Sequence, residues 1–308
     1  MKSPRRDWLW HIPLLLVGGT MLVPLFFMFA TALSAPGQAL PVTDSVWRMI
    51  WPQSWHWENF AEVWRVVPFG RYYINSLVIA LVVTGGQVFT SACAAYAFAR
   101  LQWPGRDKLF LAYLATMMVP GSVTMIPNFV AMKILPEWLG RVLPQVDWLS
   151  LRYLGTGAQS PGVGRLIGLD SYFALIVPAM FSAYGTFLLR QFFLTLPRDL
   201  DEAAKIDGCN HWQIFSRILL PLALPGVMTL TIFTFMGNWG SFLWPLVTTN
   251  QEYLRTLPVG LQAFQGQYGT EWHLMMAAAL LMLVPIVGLF LVGQRFFISG
   301  LTVGAVKG

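Results

Sequence analysis

The chain has 308 residues, of which 56% are hydrophobic and only 11% are charged, with 22 Phe and 14 Trp. Its mean hydropathy of +0.57 exceeds what a soluble domain needs for a core and indicates a polytopic helical membrane protein. The net charge of +6 follows the excess of basic residues typical of cytoplasmic loops. No basic stripe with interleaved aromatic residues occurs, so we expect no nucleic acid partner.

Six apolar segments are each long enough for the roughly 20 residues that cross the hydrocarbon core of a bilayer. They lie at approximately 8–33, 72–98, 109–134, 171–195, 219–247 and 272–297. The first has an apolar run from Ile12 that is longer than the ~7 to 15 residues of a signal-peptide core. The sequence therefore predicts an all-α protein with six transmembrane helices, the first one retained, in a single domain over residues 1–308.

The distribution of basic residues predicts the orientation of these helices. If both termini lie on one side, that side carries the denser set: Lys2, Arg5, Arg6, Arg100, Arg106, Lys108, Arg190, Arg198, Lys205, Arg217, Arg295 and Lys307. The opposite side has longer loops and fewer bases: Arg48, Arg65, Arg71, Lys133, Arg141, Arg152, Arg165 and Arg255. The positive-inside rule then places both termini and the charged loop 196–218 in the cytoplasm.

The predicted spans contain no Asp, Glu, Lys, Arg or His near their middle. Ion-coupled transporters and pumps usually need such groups to carry protons or coordinate ions. No lysine completes a phosphate-binding loop, so energy for uphill transport would come from another subunit. We expect no enzymatic activity of the chain itself.

Cofactor and metal chemistry have equally little support in the sequence. The two cysteines, Cys93 and Cys209, suggest neither a disulfide nor a metal site. The four histidines occur singly, without the spacing of a zinc site: His11, His56, His211 and His273. We expect no cofactor and no metal.

The loop at 196–218 contains the densest run of charge in the chain. Asp199 begins a predicted helix of about two turns, with further acids in its first turn, and Asp207-Gly208 ends it, since glycine enters a left-handed cap without steric cost. A second helix is predicted over His211–Leu220, with one apolar face formed by Trp212, Phe215, Ile218 and Leu219. Helices this short are marginal in water, which favours a docking surface over an ordinary surface turn.

The sequence Glu202-Ala203-Ala204-Lys205-Ile206-Asp207-Gly208 resembles the EAA loop of inner-membrane permease subunits of bacterial ATP-binding-cassette importers. The residues that follow it, Phe215, Ile218 and Leu220-Pro221-Leu222, fit the same pattern. Further motifs resemble the maltose-transporter-like carbohydrate branch and extend over nearly the whole chain: Asn75-Ser76-Leu77, Ala94 to Arg100, Met118 to Pro120, Phe187 to Phe193, Phe242 to Leu246 and Gly300 to Gly308.

The resemblance implies the type I importer permease fold in a bacterial inner (plasma) membrane, surrounded by membrane lipid. It implies an ATPase-coupling helix at Glu202, Ala203, Ala204, Asp207 and Gly208, seated in a cleft of a cytoplasmic ATPase dimer. A second homologous permease subunit and an extracytoplasmic solute-binding protein would complete an importer of a sugar or oligosaccharide. The tail at Lys307 and Gly308 would reach toward the ATPase.

Polar and aromatic residues of the spans are the candidates for the substrate path: Asn128, Tyr184, Asn238, Trp239, Ser241 and Trp244. Sugars are recognised by hydrogen bonds and by aromatic rings against their apolar faces. Interhelical packing or an interfacial belt is the alternative for each residue. The chain departs from its relatives at Gly240, where an asparagine is common, and in the long loop 136–170, which is either a contact for the binding protein or an insertion without a role.

Two other classes of function remain as alternatives: an ion-coupled secondary transporter and a membrane scaffold that transports nothing. The uncharged spans count against the first, and the docking loop counts against the second. The sequence does not identify the solute, and it leaves glycerol phosphates and other polyols open beside the sugars.

The orientation leads to a labelling prediction. We expect single cysteines at Ser3 and Ser299 to be protected from an impermeant thiol reagent in intact cells, because both would face the cytoplasm, whereas one at Gln159 should react. Labelling at Ser3 without permeabilisation would overturn the orientation.

Overall fold

A computed structural model of the protein describes residues 11–36, 51–52, 54–142, 167–266 and 269–305. The described α-helices are α1 (His11–Ala32), α2 (Glu58–Val66), α3 (Phe69–Arg100), α4 (Arg106–Ala115), α5 (Gly121–Val142), α6 (Tyr172–Ile176), α7 (Ala183–Thr195), α8 (Asp199–Ile206), α9 (His211–Gln213), α10 (Leu220–Leu222), α11 (Leu224–Trp239), α12 (Leu243–Thr248), α13 (Leu257–Gly260) and α14 (Trp272–Ala305). Short 3₁₀ segments lie at Thr116–Met118, Val177–Met180, Glu252–Leu254 and Leu261–Phe264, and a π-helix lies at Ile214–Leu219. Strands β1 (Gln265–Gly266) and β2 (Gly269–Thr270) form an antiparallel ribbon in which Gln265 pairs with Thr270.

Several sequence-based expectations fall outside the described residues. They concern Lys2, Arg5 and Arg6 at the start, Gln159 and the larger part of loop 136–170, and Lys307-Gly308 in the tail.

Four helical segments are long and apolar enough to cross a membrane: His11–Ala32, Phe69–Arg100, Tyr172–Thr195 and Trp272–Gln294. Two bent pairs pass the same test, one formed by Arg106–Met118 with Gly121–Val142 and one by His211–Leu222 with Leu224–Trp239. The all-α class is therefore confirmed, and the described residues hold up to six crossings if each bent pair is one span.

The third predicted span is not a straight helix. Its two parts meet at an angle of 98°, and the chain between them passes through Val119, which is extended at φ −83° and ψ 116°. Val119 precedes Pro120, whose ring disfavours the helical conformation of the residue before it. The proline thus explains why the helix breaks within the expected 109–134 segment.

The fifth predicted span is also divided. Helix α11 ends at Trp239, and α12 begins only at Leu243, so the expected helix over 219–247 is interrupted by three residues around Gly240. At its start α11 forms an angle of 78° with the segment that ends at Leu222. Pro225 lies there and has no N–H with which to continue the preceding helix.

The described residues fall into two compact units, one within 1–70 and 259–285 and the other within 71–258 and 286–308. The single permease domain over 1–308 stays a prediction. In the second unit, a buried apolar core joins α3, α7, the π-helix and the start of α11: Ala92, Ala95, Tyr96, Ala99, Leu189, Phe193, Ala204, Ile214, Phe215, Leu219, Ala223 and Leu230.

Small side chains let α3 and α7 approach closely inside this core. Ser91, Ala95 and Ala99 repeat at four-residue spacing and are each almost fully buried, in the manner of small-residue helix interfaces in membranes. Gly185 of α7 faces them, and a Cβ there would come within 2.5 Å of the Ser91 hydroxyl oxygen. The glycine is needed at this contact because the two helices leave no room for a side chain.

Candidate functional site

The EAA-like sequence forms α8, a helix of 8 residues whose first turn carries Asp199, Asp201 and Glu202. Their carboxylates lie near the positive end of the helix dipole, which stabilises the N-terminus. Gly208 follows the C-cap with φ of +80°, as the sequence predicted. The Gly208 N–H donates to Lys205 O at 3.0 Å and the Cys209 N–H donates to Ala204 O at 2.9 Å, the two hydrogen bonds of a Schellman motif.

The second helix of the loop begins with a capping box. The Asn210 side chain accepts from the Gln213 N–H at 2.9 Å, while the Gln213 side chain accepts from the Asn210 N–H at 2.8 Å. Two of the orphan donors at the helix start are thereby satisfied. The start of this helix is fixed independently of any partner protein.

The prediction of which residues form the apolar face of this second helix is partly wrong. Phe215 and Leu219 are buried as predicted, but Trp212 is 58% exposed and Ile214 takes a buried place in the core. Helix α9 ends at Gln213 and a π-helix with i→i+5 hydrogen bonds follows at Ile214–Leu219, so the 3.6-residue period on which the expected face rested does not hold along the whole segment.

Arg100 holds α8 against the membrane helices. Its guanidinium forms an ion pair with Asp201 at 2.9 Å, and the two side chains are only 5% and 14% exposed. Its Nη2 also donates to Phe193 O at 2.7 Å and to Leu196 O at 2.9 Å, at the end of α7. One side chain of α3 therefore binds both α7 and α8, a connection that the sequence did not predict.

Apolar packing adds a second attachment for the loop. Ala204 is 4% exposed and belongs to the buried core, while the Tyr96 hydroxyl is 3.1 Å from Nδ1 of His211. The ring of Tyr96 also lies 5.3 Å from that of Phe215. Both short helices of the loop are thus attached to α3.

The opposite side of α8 faces away from the core. Glu202, Ala203, Asp207 and Gly208 are exposed, and Ile206 is 86% exposed. Of the five residues predicted to contact an ATPase, four are therefore accessible. The side chain of Ala204 is instead buried in the core, where it packs α8 against the neighbouring helices.

A cavity of about 630 Å³ lies in the second unit, between α3, α5, α6, α11 and α12. Its volume is within the range of small-molecule sites, roughly 300 to 1,000 Å³. The lining residues are Ser76, Ile79, Gly121, Ser122, Met125, Asn128, Leu175, Pro178, Ala179, Asn238, Ser241, Phe242, Leu243, Trp244, Pro245 and Thr256. None of them carries a charge.

Four of the six predicted pathway residues line this cavity: Asn128, Asn238, Ser241 and Trp244. The other two lie elsewhere. Trp239 is fully buried, with its ring stacked on Phe235 at 5.7 Å, and Tyr184 is 42% exposed and outside the lining. Ser76, Ser122 and Thr256 also line the cavity, although the sequence does not indicate them as pathway residues; Ser76 stands out there only as part of Asn75-Ser76-Leu77.

Hydrogen bonds from α3 hold one wall of the cavity in place. The fully buried Asn75 donates to Tyr253 O at 2.7 Å and to Arg255 O at 2.9 Å, and it accepts from the Tyr172 hydroxyl at 2.6 Å. The Leu257 N–H donates to Ser76 Oγ at 2.8 Å. These bonds fix the segment from Tyr253 to Leu257 against α3.

Two of the predicted pathway residues have structural hydrogen bonds as well. Trp244 Nε1 donates to Ala174 O at 2.8 Å, which joins α12 to α6. Asn238 Nδ2 donates to Thr234 O within α11 at 2.8 Å. The ring carbons of Trp244 and the amide oxygen of Asn238 take no part in these two hydrogen bonds.

Residues 91–303 match the family described as the inner-membrane component of binding-protein-dependent transport systems. The sn-glycerol-3-phosphate transport system permease protein UgpE of Yersinia pestis bv. Antiqua (strain Antiqua) is 32% identical over 94% of each chain. The arabinooligosaccharides transport system permease protein AraQ of Halalkalibacterium halodurans is 29% identical over 99% of this chain and 98% of its own length.

Comparison with solved structures shows the same fold. A chain of a bacterial ATP-binding-cassette transporter that imports the acidic polysaccharide alginate superposes with a TM-score of 0.72, at 19% identity, over 96% of this chain and 99% of its own. A second alginate transporter structure, with a pentasaccharide-bound periplasmic protein, gives a TM-score of 0.62 at 15% identity over 94% of each chain.

The buried ion pair leads to a stability prediction. We expect Asp201→Ala to lower the free energy of unfolding in detergent by about 3 kcal/mol, because Arg100 then stays buried without a counter-ion. Asp199→Ala removes the same group from the same helix at an exposed position and is the matched control. Equal denaturation midpoints for the two variants would contradict the role of the pair.

Proposed function

The chain belongs to the family of inner-membrane components of binding-protein-dependent transport systems, and we propose that it forms one half of the solute path of a carbohydrate importer. As a permease subunit of an ATP-binding-cassette importer, it is a non-catalytic part that works with a separate ATPase and a solute-binding protein. Family membership sets aside both the ion-coupled transporter and the scaffold. We further propose a neutral sugar as the solute, a second permease subunit, an ATPase dimer, a cytoplasmic location of both termini and the residue roles given below.

The absence of a charged side chain among the described lining residues of the cavity is the observation that supports a neutral hydroxylated solute. Its lining offers amides and hydroxyls at Asn128, Asn238 and Ser241 beside the indole ring of Trp244. A sugar presents hydroxyls and an apolar face to such a surface. One relative is named for sn-glycerol 3-phosphate and another for arabinooligosaccharides. A phosphate ester is normally bound by charge-assisted hydrogen bonds from Arg or Lys, which this lining does not offer, so we favour the neutral sugar.

The coupling role is assigned to the exposed side of α8. Glu202, Ala203, Asp207, Gly208 and the apolar side chain of Ile206 would contact the ATPase in the cytoplasm. The attachment of α8 through Arg100 supports this role, because a force applied to the helix passes directly to α3 and α7. ATP-driven closure of an ATPase dimer would then rock these helices between inward- and outward-facing states.

Transport measurements test the solute class. We expect cells that express the complete importer to take up labelled neutral sugars or oligosaccharides from a panel, and not labelled sn-glycerol 3-phosphate. With the solute found, Asn128→Leu should raise the KM of uptake by about 3- to 10-fold, the effect of one lost hydrogen bond. Met125→Leu on the same wall is the control and should leave KM unchanged. Uptake of the phosphate ester alone would refute the proposed solute class.

A substitution at Gly208 tests the coupling role separately from the solute class. A Cβ at this position would meet no atom within 4 Å, so the cost of substitution comes from the positive φ alone, about 1 to 3 kcal/mol for a β-branched residue. We expect Gly208→Val to keep the protein in the membrane but to reduce recovery of the ATPase on co-purification and to reduce uptake.

Gly208→Asn is the matched control, since asparagine tolerates the left-handed conformation. It should retain most of the ATPase at equal membrane levels of permease. If both variants recover the ATPase and take up solute normally, α8 is only a surface turn.

A further inference from the structure

Helix α2 is tied by hydrogen bonds to the end of α1. Asn59, which is 3% exposed, donates from Nδ2 to Ala32 O and to Ser34 O, both at 2.9 Å. The His56 N–H donates to Leu33 O at 3.2 Å. These bonds fix the start of α2 at the point where α1 stops.

That point marks an edge of the hydrocarbon core. The described part of α1 has 22 residues, about 33 Å at 1.5 Å per residue, which is long enough to cross the core. Its apolar side chains are exposed over most of its length, including Leu15 at 74% and Met21 at 75%. A helix attached to its last turn therefore lies at the level of the lipid headgroups.

The exposed side of this segment is aromatic. Trp55, Trp57, Phe60 and Trp64 form what we call the aromatic face, in which the three tryptophans are 50 to 55% exposed. Trp57 stacks on Trp55 and on Phe60 with ring centroids 6.1 Å apart in both pairs. The positions 57, 60 and 64 recur at helical spacing and so lie on one side of α2.

A polar face lies on another side of the same helix. It carries Glu58, Glu62 and Arg65, with Glu62 and Arg65 3.9 Å apart. The His56 ring lies 2.8 Å from the Glu58 carboxylate, and this hydrogen bond lowers the pKa of Glu58. The carboxyl is therefore ionised at neutral pH, and the polar face remains hydrated.

The aromatic face also continues the surface of α1. The ring of Phe29, near the end of α1, lies 5.9 Å from the ring of Trp57 in an edge-to-face contact. The apolar surface of the membrane-crossing helix thus passes into the aromatic face without a polar interruption at this contact.

We propose that α2 is a membrane-surface helix whose aromatic face is immersed among phospholipid headgroups and the adjoining acyl chains. Tryptophan is enriched at this depth because its ring is apolar while its N–H can still form hydrogen bonds. A short helix with an aromatic side and a charged side lies in the plane of the interface. The proposal concerns lipid contact alone and depends neither on the solute nor on the orientation.

Lipid contact of α2 would also fix the depth of the first residues of α3 in the membrane. Trp64 makes an edge-to-face contact with Phe69, the first residue of α3, at 5.0 Å. Only Val67 and Pro68 separate the two helices. A lipid-anchored α2 therefore holds both the end of α1 and the start of α3 at one membrane surface.

Spin labels on the complete importer in phospholipid vesicles test this placement. In a background with Cys93→Ala and Cys209→Ala, single nitroxides are attached at Trp55→Cys and Trp64→Cys, with Glu62→Cys as the matched control on the polar face of α2. Collision with dissolved oxygen and with a water-soluble nickel chelate is measured for each label. Oxygen concentrates in lipid and the chelate in water.

We expect the labels at positions 55 and 64 to collide more with oxygen, and the label at position 62 to collide more with the chelate. Chelate-favoured collisions at all three positions would place α2 in water and overturn the proposal. More collisions with oxygen than with the chelate at all three positions would mean that the polar face also lies in lipid, which would contradict the proposal as well. Loss of access to both reagents at 55 and 64 on addition of the solute-binding protein would make this surface a protein docking site instead.

Discussion

The burial of the Arg100 guanidinium is the constraint on which the arrangement of α3, α7 and α8 depends. A buried charge is costly unless a counter-ion and hydrogen-bond acceptors surround it. Here Asp201 supplies the counter-ion, and the carbonyls of Phe193 and Leu196 supply the acceptors. Carbonyls at the end of a helix lack N–H donors from a following turn, and here the Arg100 side chain donates to two of them while its ion pair fixes α8. A helix of 8 residues, too short to be stable alone, thereby keeps one orientation.

Helix α3 connects this anchor to the cavity. Asn75 and Ser76 bind the segment from Tyr253 to Leu257 near one end of α3, and Arg100 binds α7 and α8 at the other. Ser76 and Arg100 are roughly 36 Å apart along the helix axis. Both attachments lie on one helix, so under the proposed coupling role a displacement of the loop would pass along α3 to the cavity wall.

Several polar side chains in these helices form hydrogen bonds that hold the fold together. A buried amide or hydroxyl needs a hydrogen-bond partner, and Asn75, Tyr172 and Trp244 find theirs in backbone carbonyls or in one another. Asn128, Ser241 and the remaining polar atoms of Asn238 are then among the polar groups that line the cavity, together with Ser76, Ser122 and Thr256. The distinction matters for mutagenesis, because loss of Asn75 would disturb the wall whereas loss of Asn128 would leave it intact.

Local signals in the sequence determined the helical membrane class, the approximate spans, the two-turn helix ending at Asp207 and the positive φ of Gly208. These features depend on hydropathy and on residues a few positions apart, which a single sequence displays. The tertiary structure decided the exposure of Trp212, the partners of Arg100, and the separation of Trp239 and Tyr184 from the other four pathway candidates. Those outcomes depend on contacts between residues that are far apart in the chain. A pattern of apolar residues indicates that a helix is buried, but it does not indicate which side chain of another helix it will meet.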